Sequence, residues 1–187
     1  MNTFLIAIFT CIISTIFVLS VAYSMSRMRF KMRKPFMNIA MIIGLFPSFM
    51  SMIAVYYILR ALNLADGAMI RVALIIVFSA GSGAGFYVAK GFFDTISKSL
   101  DEAAIIDGAT RWNVFTKITV PLSKPIIVYT ILTSFMGPWV DFIFGKVICR
   151  ADAQYYTVSI GLWKMLEKEY IDSWYTCFAA GAVVVSI

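Results

Sequence analysis

The residues able to do polar chemistry concentrate between Ser99 and Pro121. Ser99-Leu100-Asp101-Glu102 has the spacing of a capping box, in which a hydroxyl and a carboxylate each accept from a free amide at a helix start. Leu100, Ala103, Ala104 and Asp107 follow at helical spacing, and Gly108 permits the positive φ that ends such a helix. Thr110 can cap a second helix that carries Trp112, Phe115 and Ile118 or Thr119 along one face until Pro121. The chemistry this supports is recognition. Glu102 and Asp107 offer acceptors, Ala103 and Ala104 let a neighbouring backbone come close, and Gly108 allows a bend that fits a cleft. Two short amphipathic helices also suit a lipid surface, and Glu102 also reads as a helix cap alone. Composition leaves these alternatives open.

Catalytic chemistry finds little material. The chain contains no histidine, which excludes imidazole as base, proton shuttle or metal ligand. Cys11, Cys149 and Cys177 are odd in number and lack CxxC spacing, so they read as small, reduced hydrophobes. Neither GxxxxGK[ST] nor GxGxxG occurs, and Gly81-Ser82-Gly83-Ala84-Gly85 lacks the remaining residues of either.

These residues must be positioned by a membrane protein. Of 187 residues 61% are hydrophobic and 14% charged, too apolar for a water-soluble domain. A soluble enzyme and a nucleic-acid binder are thereby disfavoured. The charges cluster between long uncharged runs, as a bilayer imposes on a chain that crosses it repeatedly. The expected architecture is all-α: a polytopic transmembrane bundle with spans at about 2–26, 35–59, 72–89, 125–145 and 173–187, and a two-helix cytoplasmic loop over 90–124. Pro47 should kink the second span. Only 16 uncharged residues separate Pro125 from Asp141, roughly 24 Å of helix, and Gly137-Pro138 predicts a break there. The net charge of +6 reads as Lys and Arg held in cytoplasmic loops. Arg27, Arg29, Lys31, Arg33 and Lys34 lie together with no acid among them, and the 90–124 connection is also basic, so both face the cytoplasm. That topology puts the N-terminus outside and implies a further span before Met1, while the last span is still apolar at Ile187; the expectation is a single transmembrane domain truncated at both ends.

The string Glu102-Ala103-Ala104, three residues, Gly108, nine residues, then Ile118-Thr119-Val120-Pro121 resembles the EAA motif of binding-protein-dependent ABC importer permeases, E-A-A-x3-G-x9-I-x-L-P, with Val120 in place of Leu. Asp107-Gly108-Ala109, Trp139-Val140-Asp141-Phe142 and Tyr156-Thr157-Val158-Ser159-Ile160-Gly161-Leu162 are similar to segments of the carbohydrate branch, the second permease of maltose and maltodextrin importers. Val140 stands where that branch usually has Asn.

The resemblance implies a pore-forming subunit of an ATP-driven oligosaccharide importer in the bacterial cytoplasmic membrane, without a catalytic site or cofactor of its own. It implies a second permease subunit, two ATP-binding subunits that hold ATP and Mg, an extracellular solute-binding protein, membrane lipid and a sugar as partners, and no nucleic acid. Glu102, Ala103, Ala104, Asp107 and Gly108 are then the residues that couple to the ATPase. Trp139 and Asp141 are candidates for the substrate path, with Asn38, Ser48, Ser51, Tyr56 and Tyr57 suitable by residue type. Gly81 and Gly85 form a GxxxG suited to close helix contact. An ABC permease for an amino acid or phosphate is the alternative within the class. An ion-driven secondary transporter is the alternative outside it, but the first three spans lack the ionisable residues it ordinarily needs.

Overall fold

The computed structural model describes residues 1–45, 48–81, 84–150, 152–167 and 171–186. Among these all regular structure is helical: α1 (Asn2–Arg27), α2 (Arg33–Gly44), α3 (Ser48–Ala61), α4 (Met69–Gly81), α5 (Gly85–Thr95), α6 (Lys98–Ile106), α7 (Arg111–Val114), α8 (Val120–Leu122), α9 (Lys124–Val140), α10 (Ile143–Cys149), α11 (Val158–Lys164) and α12 (Ile171–Ser186). One π turn, Phe115–Thr119, joins α7 to α8. Among the described residues the expected spans overlap α1, α2 with α3, α4 with α5, α9 with α10, and α12. Of these, α1 alone is long and apolar enough to cross a membrane; the number rises to three if α4 with α5 and 111–122 with α9 each form one broken span. The expected kink at Pro47 lies outside the described residues.

The chain divides into two compact units, one of Met1–Thr10, Pro47–Phe78 and Phe135–Ile187, the other of Cys11–Phe46 and Ser79–Ser134. The first has a core of Ile6, Leu59, Ile70, Leu74, Ile148 and Ile160. The second is built on Val18, Leu19, Ala22, Phe86, Phe93 and Ile126. The buried side chains of α1 include Thr3, Ile6, Ala7, Thr10, Ser14, Val18 and Ala22, a stripe at three-to-four-residue spacing and mostly small, which lets neighbouring helices approach. The other face shows Phe4, Phe9, Ile12, Ile16 and Phe17 to the surroundings, an apolar exterior that hydrocarbon tolerates and water does not. In the second unit, a Cβ placed on Gly85 would meet Val18 at an ordinary 3.9 Å; nothing lies within 4 Å of one on Gly81.

Two local expectations need correction. The break predicted at Gly137-Pro138 falls later, because α9 carries Pro138 inside its last turn and ends at Val140. There the missing N–H removes a single bond, and Asp141 N–H still donates to the Gly137 carbonyl at 3.1 Å. The helix expected to stop at Pro121 runs to Leu122 through the π turn, and the chain then bends by 82° into α9. Proline is accepted at this position because it opens the short α8, where its N–H is not needed.

Candidate functional site

The 90–124 connection is built by local devices at each corner. Ser97, not Ser99, caps α6: its Oγ accepts from the Ser99 amide at 3.3 Å. The capping box predicted for Ser99 and Glu102 therefore does not form, because the helix starts two residues earlier, at Lys98, and places Glu102 beyond the first turn. Two serines two residues apart compete for one cap, and Ser99 instead pairs its hydroxyl with that of Ser97 at 2.7 Å. Gly108 has φ +84°, and the Ala109 amide donates to the Ala104 carbonyl at 2.9 Å while the Gly108 amide donates to Ile105 at 3.0 Å. This paired closure is the Schellman ending that glycine favours. Thr110 then caps α7 by accepting from the Asn113 amide at 3.2 Å, as its type and position predict.

No residue of α6 is buried. Glu102, Ala103, Asp107 and Gly108 are exposed, Ala104 is half-buried, and Ile106 is 85% exposed. Nothing lies within 4 Å of a Cβ built on Gly108. The Glu102 carboxylate makes no ion pair among the described residues. A nine-residue helix with no buried face is marginal by itself in water, so its position is held from below.

The end of α1 supplies that hold. Arg27 Nε lies 3.3 Å from Asp101 Oδ2, with the two side chains 3% and 13% exposed. Arg27 Nη2 donates to the carbonyls of Phe93 and Ile96, each at 2.9 Å, and so satisfies the open end of α5. One turn earlier, Tyr23 donates its hydroxyl to the Arg111 carbonyl at 3.3 Å. Ser26 donates to Asp94 at 2.6 Å, and Asp94 also pairs with Lys90 at 2.5 Å. One helix end thus contacts α5, α6 and the start of α7. These ties were not found from the sequence; the only signal is that Arg27 is the first charge after the long apolar run.

The substrate-path candidates occupy different settings. Asp141 Oδ1 accepts from the Gly145 amide at 3.1 Å at the start of α10, and its own carbonyl accepts from the Ser159 hydroxyl at 2.5 Å. Its carboxylate holds the bend between α9 and α10. Trp139 packs at 6.1 Å from Phe135, and its indole Nε1 is buried with no partner among the described residues. Tyr56 lies beneath the Arg150 guanidinium at 4.6 Å and beside Tyr57 at 5.6 Å. Ser51 is exposed in the same unit, Asn38 is exposed in the other, and the side chain of Ser48 lies outside the described residues. Helix α11 was not foreseen, and α10 only as the end of the 125–145 span. Their packing is close at Gly145, where a Cβ would come within 3.1 Å of Ile160 Cδ1.

Comparison with known proteins gives the setting of this geometry. The family described as binding-protein-dependent transport system inner membrane component matches residues 14–187. The galactooligosaccharides transport system permease protein GanQ of Bacillus subtilis (strain 168) is 34% identical over 187 residues, covering all of this chain and 64% of that protein. The maltodextrin transport system permease protein MalD of Streptococcus pneumoniae is 30% identical, again over all of this chain and 65% of the relative. The chain thus spans somewhat less than two thirds of the length of these relatives. A crystal structure of a bacterial ABC transporter involved in the import of the acidic polysaccharide alginate contains a chain that superposes with a TM-score of 0.79 at 26% identity, covering 99% of this chain and 67% of that one.

Proposed function

Because this chain belongs to the family of binding-protein-dependent transport system inner membrane components, we propose that it is one pore-forming subunit of an ATP-driven oligosaccharide importer. It carries no catalytic site. Two ATP-binding partners hold ATP and Mg, a second permease completes the pore, and an extracellular solute-binding protein delivers the sugar. Five spans surround the path, and the 90–124 loop faces the cytoplasm. Glu102 is the polar anchor for an ATP-binding subunit, Ala103 and Ala104 form the close-packing surface, and Asp107 and Gly108 shape the turn that enters the partner's cleft. ATP-driven closure of the partners moves α6, and two packed states of the pore alternate according to which is favoured by ATP and by the loaded binding protein. Trp139 is the candidate for the sugar path, with Asp141 fixing the bend beside it.

The observation that carries this reading is a helix with no buried face, α6, tied to the end of a membrane-spanning helix by the Arg27 and Asp101 pair. A surface helix serving only its own fold would turn Leu100, Ile105 and Ile106 inward, whereas all three are exposed. The sugar assignment is supported by the names of the relatives. A pull-down with the ATP-binding subunit tests the docking: deletion of residues 99–121 should abolish capture, and retained capture would overturn it. Uptake of labelled oligosaccharide into proteoliposomes of the full complex tests the substrate class.

A further inference from the structure

Beside α6 the second unit contains a cleft of about 510 Å³, whose wall shares Arg27, Asp101 and Glu102 with the proposed coupling elements. Its walls carry five cations, Arg27, Arg29, Arg33, Lys98 and Arg111, against two carboxylates, Asp101 and Glu102. Only Arg27 of the five has an ionic partner among the described residues, and even its Nη1 is buried without a hydrogen-bond partner. The cleft therefore holds a surplus of positive charge next to a buried guanidinium nitrogen with unused capacity. A second groove, of about 280 Å³, continues from it through the shared residues Tyr23, Met28 and Arg111. It is lined otherwise by Ser20, Ser24, Trp112 and Phe115. From Met28 back to Ser20 this groove follows α1 for roughly 12 Å into its apolar run.

A basic cleft that opens into a groove running down a membrane-spanning helix has the chemistry of one occupant. We propose that an anionic phospholipid of the leaflet facing the basic loops binds here, its phosphate in the cleft and one acyl chain along Ser20, Ser24 and Phe115. Charge complementarity selects an anionic over a zwitterionic headgroup, since polybasic sites at a membrane surface attract acidic lipid. A free phosphate leaves the groove empty. An acidic peptide following the groove into hydrocarbon would carry unsatisfied backbone amides. Trp112, 69% exposed, sits at the groove where an interfacial aromatic is expected. Lys98, the first residue of α6, lines the same cleft, so a phosphate bound there would hold the start of α6. The proposal requires the membrane location and does not require the transported solute to be a sugar.

The test uses the full complex in nanodiscs containing phosphatidylglycerol or phosphatidylcholine with brominated acyl chains. The fluorescence of Trp112 is isolated by subtracting that of a Trp112→Phe variant. At equal bromine content, phosphatidylglycerol should quench Trp112 more than phosphatidylcholine. Arg29→Gln with Arg33→Gln should remove the excess, since each lost cation weakens attraction roughly fivefold. Arg29→Lys with Arg33→Lys should retain it, which separates lost charge from lost folding. Equal quenching by the two lipids, or an excess that survives in the Gln pair, overturns the proposal. Abolition of the excess by inorganic phosphate also overturns it, by making the site one for free anions. Uptake by the same complex in proteoliposomes reports the transport function separately, so the two readings can fail independently.

Discussion

Arg27 Nε, at the last residue of α1, lies 3.3 Å from Asp101 Oδ2, one residue before Glu102. The same guanidinium closes the end of α5 through the carbonyls of Phe93 and Ile96. The exposed helix α6 is thus fastened at its root by a largely buried pair, and what happens to α6 is felt at the end of α1.

Cutting that fastening should uncouple the complex. Removing one member of a buried pair costs about 3–5 kcal/mol, because the other is left desolvated and alone. Arg27→Met also frees two carbonyls, so it should destabilise more than Asp101→Asn. Denaturant titration in detergent ranks the two. Uptake should fall in both variants while ATP hydrolysis persists, and normal uptake in Asp101→Asn would count against the fastening.

At Glu102 the structure separates two roles. Since the carboxylate closes no capping box, Glu102→Gln should change helix stability by less than about 0.5 kcal/mol, as an ordinary surface substitution does. Capture of the ATP-binding subunit should nevertheless weaken. Circular dichroism and a pull-down on the same preparation make the comparison, and unchanged capture would remove Glu102 from the interface.

Gly108 has φ +84°, where a side chain on an L-residue costs roughly 1–2 kcal/mol. A Cβ meets nothing within 4 Å inside the chain, so the first carbon of a side chain has room there. Gly108→Ala and Gly108→Trp should share a similar backbone penalty, measured as a shift in thermal unfolding. Gly108→Trp alone should abolish coupling of ATP hydrolysis to uptake, and equal transport in both variants would place the partner elsewhere.

Asp141 gives a stability prediction away from the loop. Asp141→Ala removes the acceptor for the Gly145 amide and should cost about 1 kcal/mol, whereas Asp141→Asn keeps an oxygen there and should cost less. Thermal unfolding of the two variants checks the order. A transport defect in Asp141→Asn with unchanged stability would indicate that the carboxylate also meets substrate.

What could be read from the sequence was what lies close along the chain. Gly108 and Thr110 act as their residue types and spacing dictate, because a helix end is decided within a few residues. Ser97 displaced Ser99 because both satisfy the same local rule and the choice depends on where Lys98 enters the helix. Pro138 was read as a breaker, yet its effect depends on how near it lies to the helix end. The Arg27 and Asp101 pair joins distant segments, and no periodicity encodes it. Helix α11, and α10 as an element separate from the 125–145 span, were missed because each has only seven residues, too few for a periodic pattern to stand out.

Helix α1 has 26 residues, roughly 39 Å of rod at 1.5 Å per residue. Anchored at Arg27 to the exposed α6, such a rod behaves as a lever. A tilt of about 5° sweeps its opposite tip, near Thr3, through roughly 3 Å. A stroke no larger than a hydrogen bond's length at one membrane face therefore becomes a comparable shift at the other, with no change in any hydrogen bond along the shaft.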